Sequence, residues 1–329
     1  MTNDTEYMYA SARIRAAEGK DTAAARLERM LDCRTPEMLL RTVIECGFLR
    51  DEHSQPETLE QAWNTALTDA AALVKEVAPD PAVYDFLFYK YDCNNIKTAL
   101  KAELLGLDYS SNYYSCGTVD TQALQSRLAK GNVTGLPTHM AEAVGEAMEA
   151  YAQTGEGRQI DFLLDKACYG DMADNVRTNG VPLFQEYVAA KADLTNVLSS
   201  VRLSESSPDA AFAIFDRAYV PGGTIPKEQF GTSAAGCRSY SELSEHMTGM
   251  VKDAVDQIQA GNVRPEKVMD EMALSLLNRE RYTPFGVHVP AVFFLQREME
   301  LKNGRIIAAG IAAGLSGSVL RERIRVAYV

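Results

Sequence analysis

The chain has 329 residues, 46% hydrophobic and 24% charged, the composition of a folded globular protein with room for one large core or several smaller ones. Acidic residues outnumber basic ones by 45 to 33, and the net charge of −12 repels phosphate backbones and anionic lipid head groups, so neither nucleic acid nor a membrane surface is expected as the primary ligand. Cys33, Cys46, Cys93, Cys116, Cys168 and Cys237 are scattered without a CxxC pair, as are His53, His139, His246 and His288. The expectation is reduced, partly buried thiols and no metal site.

The start of the sequence, Met1 to Glu6, is polar and lacks the basic and apolar regions of a signal peptide. Helical periodicity then dominates. Between Thr58 and Val77, the apolar residues Leu59, Ala62, Trp63, Ala66, Leu67, Ala70, Leu73, Val74 and Val77 recur every three or four positions. That makes one apolar stripe on a helix, which must pack on another helix. Met140, Val144, Ala147, Met148 and Tyr151 repeat the pattern, and Ile160, Phe162, Leu163, Leu164 and Ala167 do so less regularly. Breaks rich in Gly, Pro, Ser or Asn fall at 110–117, 154–157, 204–209, 220–225 and 282–290. Runs of alternating β-branched residues are nearly absent. Asn179-Gly180 and Asn303-Gly304 do not lie between strands, so neither marks a hairpin. The fold class is all-α. The longest apolar run, Ile306–Leu315, has about half of the ~20 residues a membrane-spanning helix needs.

An internal repeat is the most informative feature. Asp92-Cys-Asn-Asn95-Ile96-Lys-Thr98-Ala-Leu100-Lys101 aligns without a gap on Asp193-Leu-Thr-Asn196-Val197-Leu-Ser199-Ser-Val201-Arg202, 101 residues later. A worn third copy, Glu300-Leu-Lys-Asn303, follows after another 107. Each copy lies downstream of a proline expected to open its helix: Pro81, Pro182 and Pro290, at 11, 11 and 10 residues from the acid. A second landmark agrees, because Gly117-Thr118-Val119 with Leu124 matches Gly223-Thr224-Ile225 with Phe230 at a displacement of 106. The expected organisation is three homologous helical units, 1–112, 113–214 and 215–329.

An acid and an amide three residues apart share one face of a helix. Either three carboxylates face a shared cavity, or the pairs form polar clusters that satisfy backbone groups of neighbouring loops. The structural reading is preferred for Asp92, Asn95, Asp193, Asn196, Glu300 and Asn303, since nothing nearby supplies the histidine or shifted partner of a catalytic carboxylate. There is no P-loop, nucleophile elbow or His-Glu-x-x-His. Gly310, Gly314 and Gly317 follow a helix and not a strand, which disfavours a dinucleotide loop. No catalytic residue and no cofactor is expected. Arg321, Arg323 and Arg325 form the one conspicuous basic cluster, with Arg305 upstream. They read either as a contact for a carboxylate-bearing partner or as a solvated helix face with Glu322 as local partner.

Tyr7-Met-Tyr9-Ala10-x-x-Arg13-Ile14-Arg15-Ala16, Tyr91-Asp92-x-x-Asn95-Ile96-Lys97 with its Asp193/Asn196 copy, and Phe285-Gly-Val followed by Glu298, Glu300, Asn303, Arg305 and Ile306 resemble the C subunit of V-type (archaeal and bacterial A/V-type) ATP synthases. The eukaryotic counterpart is the d subunit of the vacuolar proton pump. The resemblance covers essentially the whole chain. Gly304 departs from it, standing where that family has a branched or long apolar residue, and the match is weak between Gly155 and Gly180. It implies three similar helical domains around a pseudo-threefold axis, forming a funnel. The narrow side would sit on the cytoplasmic face of the membrane proteolipid ring and the open side would receive the central axle. The implied role is to carry torque without binding nucleotide. Two alternatives to be set against this are a helical-repeat adaptor outside any rotary motor and an all-α enzyme using the repeated carboxylates.

Overall fold

A computed structural model describes residues 4–18, 22–50, 56–109, 112–261, 264–280 and 282–325. Met1 to Asn3, His53 and the first two residues of the expected 110–117 break lie outside these.

The chain opens with α1 (Met8–Ala17), α2 (Ala23–Leu31), α3 (Pro36–Glu45) and α4 (Leu59–Val77). Then come α5 (Asp85–Leu105), α6 (Leu124–Ala129), α7 (Thr138–Thr154), α8 (Arg158–Asn179), α9 (Pro182–Leu203), α10 (Pro208–Ala218), α11 (Tyr240–His246) and α12 (Gly249–Ala260). The last helices are α13 (Pro265–Asn278), α14 (His288–Ala312) and α15 (Gly317–Arg323). The fold is all-α. The exception is a two-residue antiparallel pairing of Gly231–Thr232 with Gly236–Cys237, too short to show as alternation in the sequence.

Sequence chemistry sets the helix limits. Thr58 accepts the Gln61 N–H while the Gln61 side chain returns to the Thr58 N–H, a reciprocal cap that starts α4. Thr35 caps α3 ahead of Pro36. Asn179-Gly180 ends α8: Gly180 takes φ +65° and its N–H closes on the Val176 carbonyl, a left-handed termination open to glycine. Proline is the first residue of α9, as expected. The other two repeat prolines sit differently. Pro81 begins a 3-10 turn, Pro81–Tyr84, that runs into α5, and Pro290 is the third residue of α14. Both lie in a first turn, where the missing N–H has no intrahelical acceptor to lose.

The chain divides into two compact units, one formed by 1–84 with 266–329 and the other by 85–265. In the first, α14 packs against α4, α2, α1 and α3. It is buried on most of its circumference, including Phe294, Leu301 and Ile307, as befits a helix with apolar residues all round. The α4 stripe is buried from Ala62 to Val77, with Leu59 at its edge. Tyr84 donates its hydroxyl to the Val287 carbonyl at 2.7 Å, just before α14. In the second unit α8 packs on α7, α5 and α9, and α5 also carries α6. The rings of Phe86 and Phe184 meet at a tilt of 41°, with centroids 4.9 Å apart. All six cysteines are buried, with no disulfide among the described residues. No described helix is long and apolar enough to cross a membrane.

Candidate functional site

The two landmarks of the repeat touch each other. Asp92 lies on α5, fully buried. Its Oδ1 accepts the N–H groups of Thr118 and Val119, both at 2.9 Å, and its Oδ2 accepts the Thr118 hydroxyl at 2.7 Å and the Thr118 N–H at 3.0 Å. Asp193, on α9, does the same to Gly223-Thr224-Ile225. Oδ2 takes the Thr224 N–H and hydroxyl, each at 2.9 Å, and Oδ1 takes the Ile225 N–H at 3.1 Å. The glycine before each threonine has a steric reason. A Cβ on Gly117 would overlap Oδ1 of Asp92, and one on Gly223 would overlap Oδ1 of Asp193. Burial pushes the Asp193 carboxyl above the usual carboxylate range, against the pull of the Thr224 and Ile225 donors.

Each asparagine grips one backbone residue with both ends of its amide. Asn95 donates to the Tyr114 carbonyl and accepts the Tyr114 N–H, both at 2.8 Å. Asn196 donates to the Val220 carbonyl at 2.9 Å and accepts its N–H at 3.0 Å. Asn303, on α14, holds Arg325 by its carbonyl at 3.0 Å and its N–H at 2.8 Å. The gripped residue follows the amide by 19, 24 and 22 positions. An amide is suited to this because it carries donor and acceptor side by side, matching the C=O and N–H of one extended residue.

The third acid breaks the pattern. Glu300 meets no threonine turn; instead Arg26 reaches its Oε1 through Nε at 2.8 Å and Nη2 at 2.7 Å, and Arg297 Nη1 reaches Oε2 at 3.0 Å. All three side chains are buried. The guanidinium of Arg297 lies over Phe48 at 4.7 Å, and that of Arg26 lies over the same ring at 5.7 Å. Neither arginine was singled out from the sequence. Arg297 carries a local signal, three residues before Glu300 on one helix. Arg26 shares the buried face of α2 with Leu27 and Met30, an unusual place for a cation.

The chemistry open to these groups is limited. Asp92 accepts three protein donors, the Thr118 N–H shared between both oxygens, the Thr118 hydroxyl and the Val119 N–H, so most of its acceptor capacity is used. No cluster of three or more metal-ligating side chains occurs among the described residues. The arrangement ties loops to long helices.

Within the chain the C-terminal arginines meet different groups. Arg321 pairs with Glu28 of α2 at 2.6 Å, both about half exposed. Arg325 turns its guanidinium to Asp270 at 3.2 Å and is mostly buried. Arg323, half-buried, has no ion pair among the described residues. The local partner considered from sequence, Glu322, is replaced by Glu28 and Asp270, both brought in from other helices. Arg305 pairs with Glu60 at 2.9 Å.

The whole sequence resembles known proteins. The family model described as ATP synthase (C/AC39) subunit matches residues 10–323. The chain is 25% identical to the C subunit of the A-type ATP synthase of Methanocaldococcus jannaschii, covering 96% of this chain and 85% of that one. It is 24% identical to the C subunit of the V-type sodium ATPase of Enterococcus hirae, covering 78% of each. A third relative, the C subunit of the A-type ATP synthase of Thermococcus gammatolerans, is 23% identical over 97% of this chain and 90% of its own.

Proposed function

Because the chain belongs to the ATP synthase (C/AC39) subunit family, we propose that it is the central-stalk subunit of a rotary A/V-type ATPase, joining the central axle to the membrane proteolipid ring and passing torque between them. It is a structural subunit and not a catalytic one. It sits on the cytoplasmic face of the membrane, held there by its partners. In this reading the chain is built of three helical units, 1–112, 113–214 and 215–329, arranged as a funnel around a pseudo-threefold axis.

The observation that carries the proposal is the family match over residues 10–323. The clamps support it physically. A part that transmits rotation must resist shear between its helices and its connecting loops. On α5, α9 and α14 a buried asparagine fixes a loop residue through two hydrogen bonds. Polar groups paired in the interior specify one arrangement, because any slippage leaves a buried donor or acceptor unpaired. Arg321, Arg323 and Arg325 belong to a partner-facing surface, with Arg325 anchoring the segment and the other two meeting carboxylates of the partner.

The test is capture of the tagged chain from membranes dissolved in mild detergent, followed by identification of what comes with it. Axle and proteolipid subunits are expected together, through interfaces each above the ~1,000 Å² of a specific contact. Recovery of an intact, folded chain with neither partner would sink the proposal and leave a helical-repeat adaptor in its place.

A further inference from the structure

The unit formed by 1–84 with 266–329 contains a cavity of about 440 Å³ that the clamps do not use. Arg13, Phe48, Arg50, Asp69, Phe293 and Arg297 line it, with small apolar side chains of α1 and α4 between them. The lining is graded. Arg13 and Arg50 have side chains 45% and 42% exposed, whereas that of Arg297 is 5% exposed. The buried end of the cavity is therefore a cation, set against the faces of Phe48 at 4.7 Å and Phe293 at 5.6 Å.

That cation is under-used. A guanidinium has five N–H donors. Arg297 spends Nη1 on Glu300 Oε2 at 3.0 Å, and no acceptor for its Nε or Nη2 is found among the described residues. Glu300 offers Arg297 only Oε2, since Oε1 holds both Nε and Nη2 of Arg26. Burial draws the Arg297 guanidinium below its usual range, with Glu300 pulling the other way.

Arg13 and Arg50 share Glu76, and Asp69 accepts the Arg50 N–H at 2.8 Å. Arg26 and Arg297 both turn to Glu300, two buried guanidiniums on one carboxylate. Glu18, which also acts on Arg297, is matched by Arg15 at 3.0 Å. Arg297 meets a cavity with apolar walls while giving Glu300 one of its nitrogens. Folded proteins pair buried charges, because an unpaired one loses its hydration without return.

We propose that this cavity binds a carboxylate carrying a short apolar body, with the carboxylate on Arg297 and the carbon chain against Phe48 and Phe293. A carboxylate presents two oxygens to the Nε and Nη2 edge of a guanidinium, and the apolar walls suit a carbon body. The carboxylate comes either from a free organic acid or from a glutamate side chain of another polypeptide, and two probes separate these sources.

The experiment titrates the isotope-labelled full-length chain at constant ionic strength. The probes are sodium hexanoate, N-acetylglutamate N-methylamide and, as the uncharged control, 1-hexanol. The signals followed are the backbone amides of residues 47–50 and the arginine Nε–H groups. Saturable shifts are expected with at least one acid and not with hexanol; tighter binding of hexanoate indicates a free acid, and tighter binding of the capped glutamate indicates a polypeptide. Arg297→Gln should weaken the acid about tenfold or more, the usual size of a charged hydrogen bond. Equal shifts with hexanol, no saturation with either acid, or unchanged affinity in Arg297→Gln would each overturn the proposal. Should Arg297→Gln not fold, Arg297→Lys keeps the charge but loses the planar fork, and unchanged affinity there overturns it equally.

Discussion

Gly304 lies against the only tryptophan of the chain: a Cβ at this position would stand 2.5 Å from Cη2 of Trp63. The glycine, which departs from the family resemblance, is what lets α14 approach α4 at the indole. Gly→Ala inside a helix ordinarily gains up to ~1 kcal/mol. Here the sign should reverse, with Gly304→Ala costing about 1–3 kcal/mol through overpacking. Trp63→Phe should recover part of that loss in the double variant, read as a coupling energy from urea denaturation.

The glycines ahead of the threonine turns give a matched pair. Gly117→Ala and Gly223→Ala each push a methyl group into the aspartate that organises the turn. Each should cost about 1–3 kcal/mol, the penalty for leaving buried donors unpaired. Amide exchange at Thr118 and Thr224 should quicken in the respective variant and not in the other.

Asp193 adds a pH dependence. Its folded-state carboxyl lies above the usual range, chiefly through burial, so the folded protein holds that proton more tightly than the unfolded chain. The associated stability is fully present below the ordinary aspartate value and is lost as pH rises through the raised one. Compared with Asp193→Asn, which does not titrate, the wild type should do relatively worse at pH 7 than at pH 4. Denaturation of both proteins across that range checks the sign.

Asn303 is the test of the clamp without its acid. Asn303→Asp keeps size and shape but replaces the donor to the Arg325 carbonyl with an acceptor. Release of the segment around Arg325 is expected, at a cost of about 1–3 kcal/mol. Limited proteolysis with trypsin should then cut after Arg323 or Arg325 sooner than in the wild type.

The buried ion cluster should respond unequally to its members. Glu300→Gln leaves two guanidiniums facing each other in the interior and should cost about 3–5 kcal/mol. Arg26→Met leaves Glu300 paired with Arg297 and should cost less. Equal losses would show that the three groups do not act as one cluster.

Arg321 is a surface residue, and its pair with Glu28 is solvent-exposed. Arg321→Glu should leave the unfolding midpoint unchanged. If the proposed interface is correct, it should weaken partner capture, and added salt should reduce the difference between variant and wild type.

Much of this was legible in one dimension. The α4 stripe follows from its 3.6-residue period, and the position of Asp92 relative to Asp193 follows from a gapless repeat. The acid and the glycine turn repeat together in the sequence, but only the structure shows that they touch. Other features left no trace. Glu300 and Arg26 are 274 residues apart, and neither residue's neighbours name the other. The short pairing of Gly231–Thr232 with Gly236–Cys237 has too few residues to show a period.

The sequence by itself determined the helices, their caps and the repeated acid–amide pair, since these depend on residues within a turn or two of each other. Only the tertiary structure decided what each pair holds, why Gly304 is small, and that the third acid answers to arginines instead of a threonine turn. Local periodicity reports which face of a helix is apolar, but not which distant backbone group will need a partner once that face is buried.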